Sequence, residues 1–316
     1  MTSRVSCIIP TLNRGTVLVE TIKQLLEQTT LAHEIIVVDQ TSEPEAGTDA
    51  RLKEWNDQRQ IRWIRQREPN ASKARNLGAL IATGDVLLFL DDDIKIGPDF
   101  LAAHVRNYLD SNTVAVSGQV LEIEKEVATK LNAPSNDPDI GWIHFPKNYG
   151  ERCTTSWMAG GNFSVRRGIY LEVGGMDENY RRGAFREETD FAMRFLRAGY
   201  RFQFDPTASV VHLGVRAVPR GGARSWRNPF EWHHYIGDWY FNLRFANRHN
   251  VRQLFLYSIK HLIVSKRKVH RPWLMVISVA AWFSAVPIAI MLRLRGARLI
   301  PKLVTGSSTA FAGKRQ

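Results

Sequence analysis

Four short apolar runs near the start set the tightest constraint on what this chain can fold into. Val5–Ile9, Glu34–Asp39, Ile61–Ile64 and Val86–Leu90 have the length and β-branched content of buried strands. Helix-patterned segments separate them. Val17–Glu27 puts Val17, Leu18, Ile22, Leu25 and Leu26 on one stripe, Arg51–Gln58 follows as a second helix, and Asn70–Thr83 has Asn70 or Ser72 as its cap and Gly84 as its stop. This alternation predicts an α/β fold with a mostly parallel sheet covered on both faces. Ligands of such sheets sit outside the carboxyl ends of the strands, which places Pro10 to Arg14, Asp39 to Ser42 and Asp91-Asp92-Asp93 on one rim.

Beyond residue 120 the pattern loosens. Residues 132–138 read as a loop, Gly174-Gly175-Met176-Asp177 as a turn, and Glu187–Ala198 as a helix stopped by Gly199. Arg201–Phe204 and Ala208–Val211 read as two strands, the second ending at His212.

Two acid clusters carry chemistry. Three aspartates after an apolar strand repel one another unless cations or hydrogen bonds compensate them. Oxygen ligands of this kind suit Mg²⁺ or Mn²⁺ bridging to a substrate's phosphates. A cap or loop acid run before Pro98 is the alternative. Glu187, Glu188 and Asp190 open a helix, where acids also serve simply to complement the helix dipole. Beside a metal–diphosphate site they become the source of a general base.

Taken in order, Ile8-Ile9-Pro10-Thr11-Leu12-Asn13-Arg14, Glu34-Ile35-Ile36-Val37-Val38-Asp39, Ala74-Arg75-Asn76-Leu77-Gly78, Leu90-Asp91-Asp92-Asp93, Gly160-Gly161-Asn162-Phe163-Ser164-Val165-Arg166 and Glu187-Glu188-Thr189-Asp190 resemble the signature of family 2 glycosyltransferases. The resemblance covers about residues 4–215. It implies a glycosyltransferase A-type fold, a single Rossmann-like mixed sheet, with a nucleotide-sugar donor, a divalent metal (Mg²⁺ or Mn²⁺) and inversion at the sugar carbon. On the matching positions, Pro10, Thr11 and Asn13 would line the base and ribose pocket with Arg14 nearby. Asp39 would accept from a pyrimidine edge, with a turn acid as its alternative role. Arg75 and Asn76 would contact the base and diphosphate. Asp91 and Asp93 match the outer members of the DXD motif, with Asp92 between them on the donor side; Asp93 is the expected direct metal ligand and Asp91 the expected contact to ribose or metal.

The resemblance also implies that the base sits at the second position of a Glu-Asp pair. Here that position is Glu188, one methylene longer, with Glu187 and Asp190 as competitors. His212 follows a strand where some members of the fold supply a further metal or diphosphate ligand, although a structural role would equally suit a histidine there. Trp157, Gly160, Gly161 and Asn162 resemble the acceptor-side segment. Processive synthases carry a Gln-x-x-Arg-Trp segment that Arg224-Ser225-Trp226 does not match, which favours transfer of one sugar per encounter.

Charge divides the chain. Residues 1–190 hold 22 basic and 28 acidic side chains and residues 191–316 hold 21 and 3, so the +12 of the whole resides in the C-terminal part. Within it, Trp273–Leu292 runs for 20 residues without a charge, and Lys266-Arg267-Lys268, Arg271, Arg293, Arg295, Arg298 and Lys302 flank it. A helix of that length spans about 30 Å, a bilayer core. The expected organisation is a catalytic domain over 1–215, an aromatic and basic helical extension over 216–265, and a membrane-associating region over 266–316.

An anionic membrane surface is the expected partner. Nucleic acid is not, because basic and aromatic residues leave the uncharged run unexplained, and a buried core helix is the alternative that the cations clustered on both sides disfavour. A single crossing would put Arg293, Arg295, Arg298, Lys302, Lys314 and Arg315 on the far side against the positive-inside tendency. Pro287 allows a re-entrant or in-plane arrangement instead. Leu254–Ile263 reads as an interfacial helix with Phe255, Ile259, Leu262 and Ile263 toward lipid.

Pro10 cuts short the first apolar run, so no secretory signal is read and the catalytic part is expected in the cytoplasm. Cys7 and Cys153 are expected as free thiols. The function expected from these readings is metal-dependent transfer of one sugar from a nucleotide-sugar donor to a lipid, lipid-linked or polysaccharide acceptor at a membrane. A nucleotidyltransferase is the alternative, but it would carry a Gly-rich, Lys-containing loop where Pro10 to Arg14 stand. A catalytically inactive scaffold is disfavoured by the intact acid clusters.

Overall fold

The computed structural model describes residues 3–43, 45–122, 134–135, 137–146, 148–214, 228–264 and 266–301. Among them, one mixed sheet contains β1 (Val5–Thr11), β2 (Glu34–Asp39), β3 (Arg62–Arg65), β4 (Val86–Leu90), β5 (Ile94–Ile96), β6 (Ala115–Glu122), β7 (Cys153–Thr155), β8 (Asn162–Arg166) and β9 (Phe202–His212). The helices are α1 (Thr16–Leu26), α2 (Ala46–Asp57), α3 (Ala71–Ile81), α4 (Phe100–Asn107), α5 (Arg167–Glu172), α6 (Glu187–Arg197), α7 (Trp232–Phe245), α8 (Val251–Ser258), α9 (Lys266–Val269), α10 (Pro272–Ser284) and α11 (Val286–Arg295). A π-helical turn, Ile259–Ile263, continues α8.

Alternation along β1 shows why both faces are covered. Cys7 and Ile9 pack with Leu18, Ile22 and Leu101 on one side, while Ile8 packs with Ala74, Phe89 and Phe163 on the other. The strand order is β3-β2-β1-β4-β8-β6-β9-β5, with β7 beside β9. β3, β2, β1 and β4 are parallel, and β4–β8 and β6–β8 are antiparallel. The chain leaves β1 toward β2 on one side and β4 lies on the other, so the direction of winding changes there, the position at which open α/β sheets take their ligands. The parallel half is what the apolar runs predict, and α2 begins earlier than the Arg51–Gln58 segment.

Several expectations change. The two strands expected at Arg201–Phe204 and Ala208–Val211 are one strand, β9. Its register against β6 shifts between Gly118 and Gln119, so that Asp205 opposes Gly118 and Ser209 opposes Gln119. Pro206 sits in the irregularity, and Asp205 accepts from the Thr207 backbone N–H (2.9 Å) to hold it. The uncharged run read as Trp273–Leu292 is two helices meeting at Ala285, just before Pro287, whose ring nitrogen has no N–H to continue the ladder.

Leu262 and Ile263 do not face outward. They are buried against Tyr235 and Trp282, and Phe255 stands edge-on to Trp239 and Trp282, which leaves Ile259 as the exposed apolar residue of the four. Cys7 and Cys153 are free thiols, and burial pushes Cys7 up to about 12. Trp226, the Arg224 to Trp226 segment, Lys302, Lys314, Arg315 and residues 132, 133 and 136 of the 132–138 loop lie outside the described residues.

Candidate active site

β4 is five buried apolar residues long and delivers Asp91, Asp92 and Asp93 at its carboxyl end. β9 delivers His212 beside them, because His212 pairs with Ile94 at the start of β5. His212 Nε2 lies 3.2 Å from Asp93 Oδ1 and 3.9 Å from Asp91 Oδ2. From the loop after β1, Arg14 Nε reaches Asp92 Oδ1 at 2.9 Å and Nη2 reaches Asp93 Oδ2 at 3.2 Å. Contact with Asp93 holds His212 above its ordinary value despite burial. Asp92 behaves oppositely to an exposed acid: burial pushes it up to about 7 against the pull of Arg14.

Both oxygens of Asp93 are buried and accept no hydrogen bond of good geometry, so ion pairs alone compensate them. Such a carboxylate is costly without a cation. Asp91, Asp93 and His212 offer ligand atoms all within 4.8 Å of one another, and this oxygen and imidazole set fits a divalent metal such as Mn²⁺ or Mg²⁺. Glu231, His233 and His234 also converge. There, however, the Phe185 N–H donates to His234 Nδ1, which keeps the proton on Nε2, directed at Glu231 and unavailable for a metal.

The second acid cluster reaches the same place through two glycines. A Cβ on Gly160 would lie 2.0 Å from Cδ of Glu188, and one on Gly161 would lie 2.0 Å from Oδ2 of Asp91. A Cβ at either position would displace the carboxylate that faces it. Gly161 O also accepts from the Asp91 N–H at 3.1 Å. Arg75, buried in α3, joins the clusters from below: Nη1 is 3.2 Å from Glu187 Oε1 and Nη2 is 3.7 Å from Asp91 Oδ1. Glu187 is therefore buried against a cation, whereas Glu188 is half-exposed at the rim.

Residues 6–174 match the Glycosyl transferase family 2 profile, more than half of the chain. The chain belongs to glycosyl transferase family 2. It is 28% identical over 142 residues to the pre-mycofactocin glycosyltransferase of Mycobacterium tuberculosis, covering 44% of this chain and 29% of that protein. It is 34% identical over 113 residues to the glucosyl-dolichyl phosphate glucuronosyltransferase of Haloferax volcanii, 34% of each chain. The matched stretches thus span about a third of these curated relatives. The structure resembles the mannosyltransferase PcManGT of Pyrobaculum calidifontis, solved in complex with GDP-Man and Mn²⁺, with a TM-score of 0.55 and 19% identity over 93% of this chain and 79% of that one. The fold is the glycosyltransferase A type.

Not every residue singled out by the family 2 resemblance faces the rim. Asn76 is buried with its whole amide committed: Oδ1 accepts from Tyr170 and the Met176 N–H, and Nδ2 donates to Met176 O and Glu178. It pins the 174–178 turn to α3 and leaves no group for a base or diphosphate. Asn162 is likewise internal, donating to Gln119 O and Ala208 O while Oδ1 meets His104. Asp190 is buried and held by Arg194 (2.7 Å), Arg244 and Tyr180, which fixes α6 to α7 and removes it as a base. Trp157 stacks on Phe145 at 4.7 Å.

The residues expected on the donor side lie together on the rim. Thr11 and Pro10 are buried at the end of β1, Asn13 takes a left-handed φ of 54° and donates its N–H to Thr41, and Thr11 opposes Asp39 across the β1–β2 pair. Asp39 accepts from the Thr41 N–H (2.9 Å) and the Trp63 indole (3.2 Å) and pairs with Arg65 (3.2 Å). Trp63 and Arg65 were not singled out from sequence. The available signal was their position in β3, where parallel pairing sets Arg65 opposite Asp39.

Arg186 and Asp238 were missed as well. Arg186 precedes the acid pair with φ 81°, pairs with Asp238 of α7 at 3.1 Å, and lies over Trp142, Phe185, Phe241 and Tyr257 at 4.4–5.1 Å. Trp282 of α10 donates to Asp238 at 3.0 Å, so the C-terminal helices set the backbone that carries Glu187 and Glu188.

Proposed function

We propose that the chain is an inverting glycosyltransferase that moves one sugar from a nucleotide-sugar donor to a lipid, lipid-linked or polysaccharide acceptor at the cytoplasmic face of a membrane. The observation that carries this reading is the glycine pair, which sets Glu188 on one side and Asp91 of the Asp91, Asp93 and His212 cluster on the other. A base and a charge-compensating centre one residue apart suit displacement at a carbon whose leaving group is an anionic diphosphate.

Asp91, Asp93 and His212 would hold Mn²⁺ or Mg²⁺, which when bound neutralises charge on the departing diphosphate. Glu188 takes the proton from the acceptor hydroxyl as its oxygen attacks the anomeric carbon opposite that group. Glu187, held by Arg75, keeps the first turn of α6 against the rim. Asp39, Thr11, Pro10 and Asn13 form the side on which the nucleoside is placed, and Arg14 lies between that side and the aspartates.

The structural neighbour holds GDP-Man with Mn²⁺, and one relative acts on glucosyl-dolichyl phosphate, which supports a nucleotide-sugar donor and a lipid-linked acceptor here. Release of nucleoside diphosphate from a panel of nucleotide sugars tests the reading. Release of pyrophosphate would instead assign a nucleotidyl transfer.

A further inference from the structure

We propose that the apolar helices at the C-terminus form a monotopic docking face that lies in the plane of an anionic membrane leaflet, and that Pro272–Arg295 does not cross the bilayer. This deepens the membrane part of the proposed function and rests on it for the choice of partner. By length and composition, Pro272–Arg295 is 24 residues of helix apolar enough to span, about 36 Å at 1.5 Å per residue. Its tethers forbid that.

Along one face, Leu274, Ser278, Ala281, Trp282 and Ala289 are buried against the protein. The Trp239 indole donates to Trp282 O at 2.8 Å, and buried Lys268 donates to Ser278 at 2.7 Å. Past the far end the chain returns at once to the catalytic sheet domain. Asn179 donates to Gly296 O (2.8 Å), Arg298 N–H to Asp177 (3.0 Å), and Ile300 N–H to Gly174 O (2.8 Å), and Ile300 is buried in the same core as Phe89 and Phe163. Both ends of the segment are thus fastened to one body, on one side of any membrane.

The other face is unpartnered and apolar. Of 18 large apolar side chains exposed among the described residues, 15 lie from Phe230 onward. Trp273, Val276 and Phe283 of α10, Ile290 and Leu294 of α11 and Leu256 of α8 are among them. The charge of this region selects the occupant. Residues 239–316 contain 14 lysines and arginines and no aspartate or glutamate, and Arg252, Lys260, Arg271, Arg293 and Arg295 are exposed near the apolar residues. An apolar face on a segment whose own charges are all cations, with a tryptophan at its edge, matches the interface of an anionic leaflet.

The test uses the full chain and vesicles of phosphatidylcholine with or without phosphatidylglycerol. Co-sedimentation with the phosphatidylglycerol vesicles that weakens as salt rises is expected. The triple variant Val276→Glu, Phe283→Glu, Leu294→Glu, which changes only exposed positions, should lose at least about tenfold in vesicle affinity while far-ultraviolet circular dichroism and donor hydrolysis stay unchanged. Unaltered vesicle binding by that variant would overturn the proposal. So would self-association in lipid-free solution that the triple variant abolishes, with no vesicle binding, which would make this a face between copies.

Crossing is tested separately by labelling Arg271→Cys and Ala297→Cys with an impermeant maleimide in sealed membranes. Labelling of both from the same side is expected, and labelling from opposite sides would overturn the in-plane arrangement. Absence of donor hydrolysis in a chain that still docks would count against the transferase reading and leave this one standing.

Discussion

Gly160 lies directly against Glu188: a Cβ at residue 160 would stand 2.0 Å from the Glu188 carboxyl carbon. The proposed base is therefore held over bare backbone, next to the residue that lies against Asp91. Gly160→Ala should push the Glu188 carboxylate aside with little cost to folding, since the obstructing atoms end a side chain that can turn. Displacement of a reacting group by about an ångström costs about 100-fold in rate. A kcat reduced by that order, with an unchanged melting temperature, is the expected result. Unchanged kcat would show that Glu188 is not the base.

Metal affinity should follow the rim cluster. His212→Ala removes one of three grouped ligand atoms, and the expected outcome is Mn²⁺ binding weakened in calorimetry by at least the roughly 10–100-fold that loss of a mere outer-shell partner costs, with a matching rise in the metal concentration that supports donor hydrolysis. An unaltered Mn²⁺ titration would assign His212 a structural role.

Asp238 acts through Arg186. Asp238→Ala leaves the Arg186 guanidinium buried without its 3.1 Å carboxylate, a loss of roughly 3–5 kcal/mol in urea unfolding. The milder Trp282→Phe removes one donor to Asp238 and should cost about 1 kcal/mol. If Arg186 positions the acid pair, Trp282→Phe lowers kcat without raising the donor KM. A fall in stability with kcat intact would limit this network to folding.

His104 links stability to pH. It is buried between Ser164 and Asn162, at 2.9 Å from each, and burial pushes it down to about 4. The unfolded chain takes up this proton near pH 6.5 and the folded chain does not, so the folded state loses stability as pH falls from about 6.5 toward 4. The loss from this residue alone approaches about 3 kcal/mol. Urea midpoints measured across that window should decline, and His104→Gln should flatten the decline. Parallel slopes in the two proteins would remove His104 from the explanation.

The parallel half of the sheet was legible because strands buried on both faces read as continuous apolar runs, as Val86–Leu90 does. β5, β6 and β7 were not, because they are short or half-polar and depend on pairing with the distant β9. At the site, residue types identified the rim but not which way each side chain turns. Helical phase could have separated one pair: Asp190 lies two residues past Glu188, about 200° around α6, and so points into the protein. Asn76 and Asn162 gave no such signal, since their partners come from about 100 residues and about 43 residues away in sequence.

The most direct measurement is nucleoside diphosphate release from a panel of nucleotide sugars with Mn²⁺, comparing the unaltered chain with Asp93→Ala and Glu188→Gln. Release from one donor is expected, abolished by EDTA and by Asp93→Ala, with transfer to a lipid-linked or glycan acceptor abolished by Glu188→Gln. Release that survives EDTA and Asp93→Ala, or transfer that survives Glu188→Gln, would contradict a metal-assisted inverting transfer at this rim.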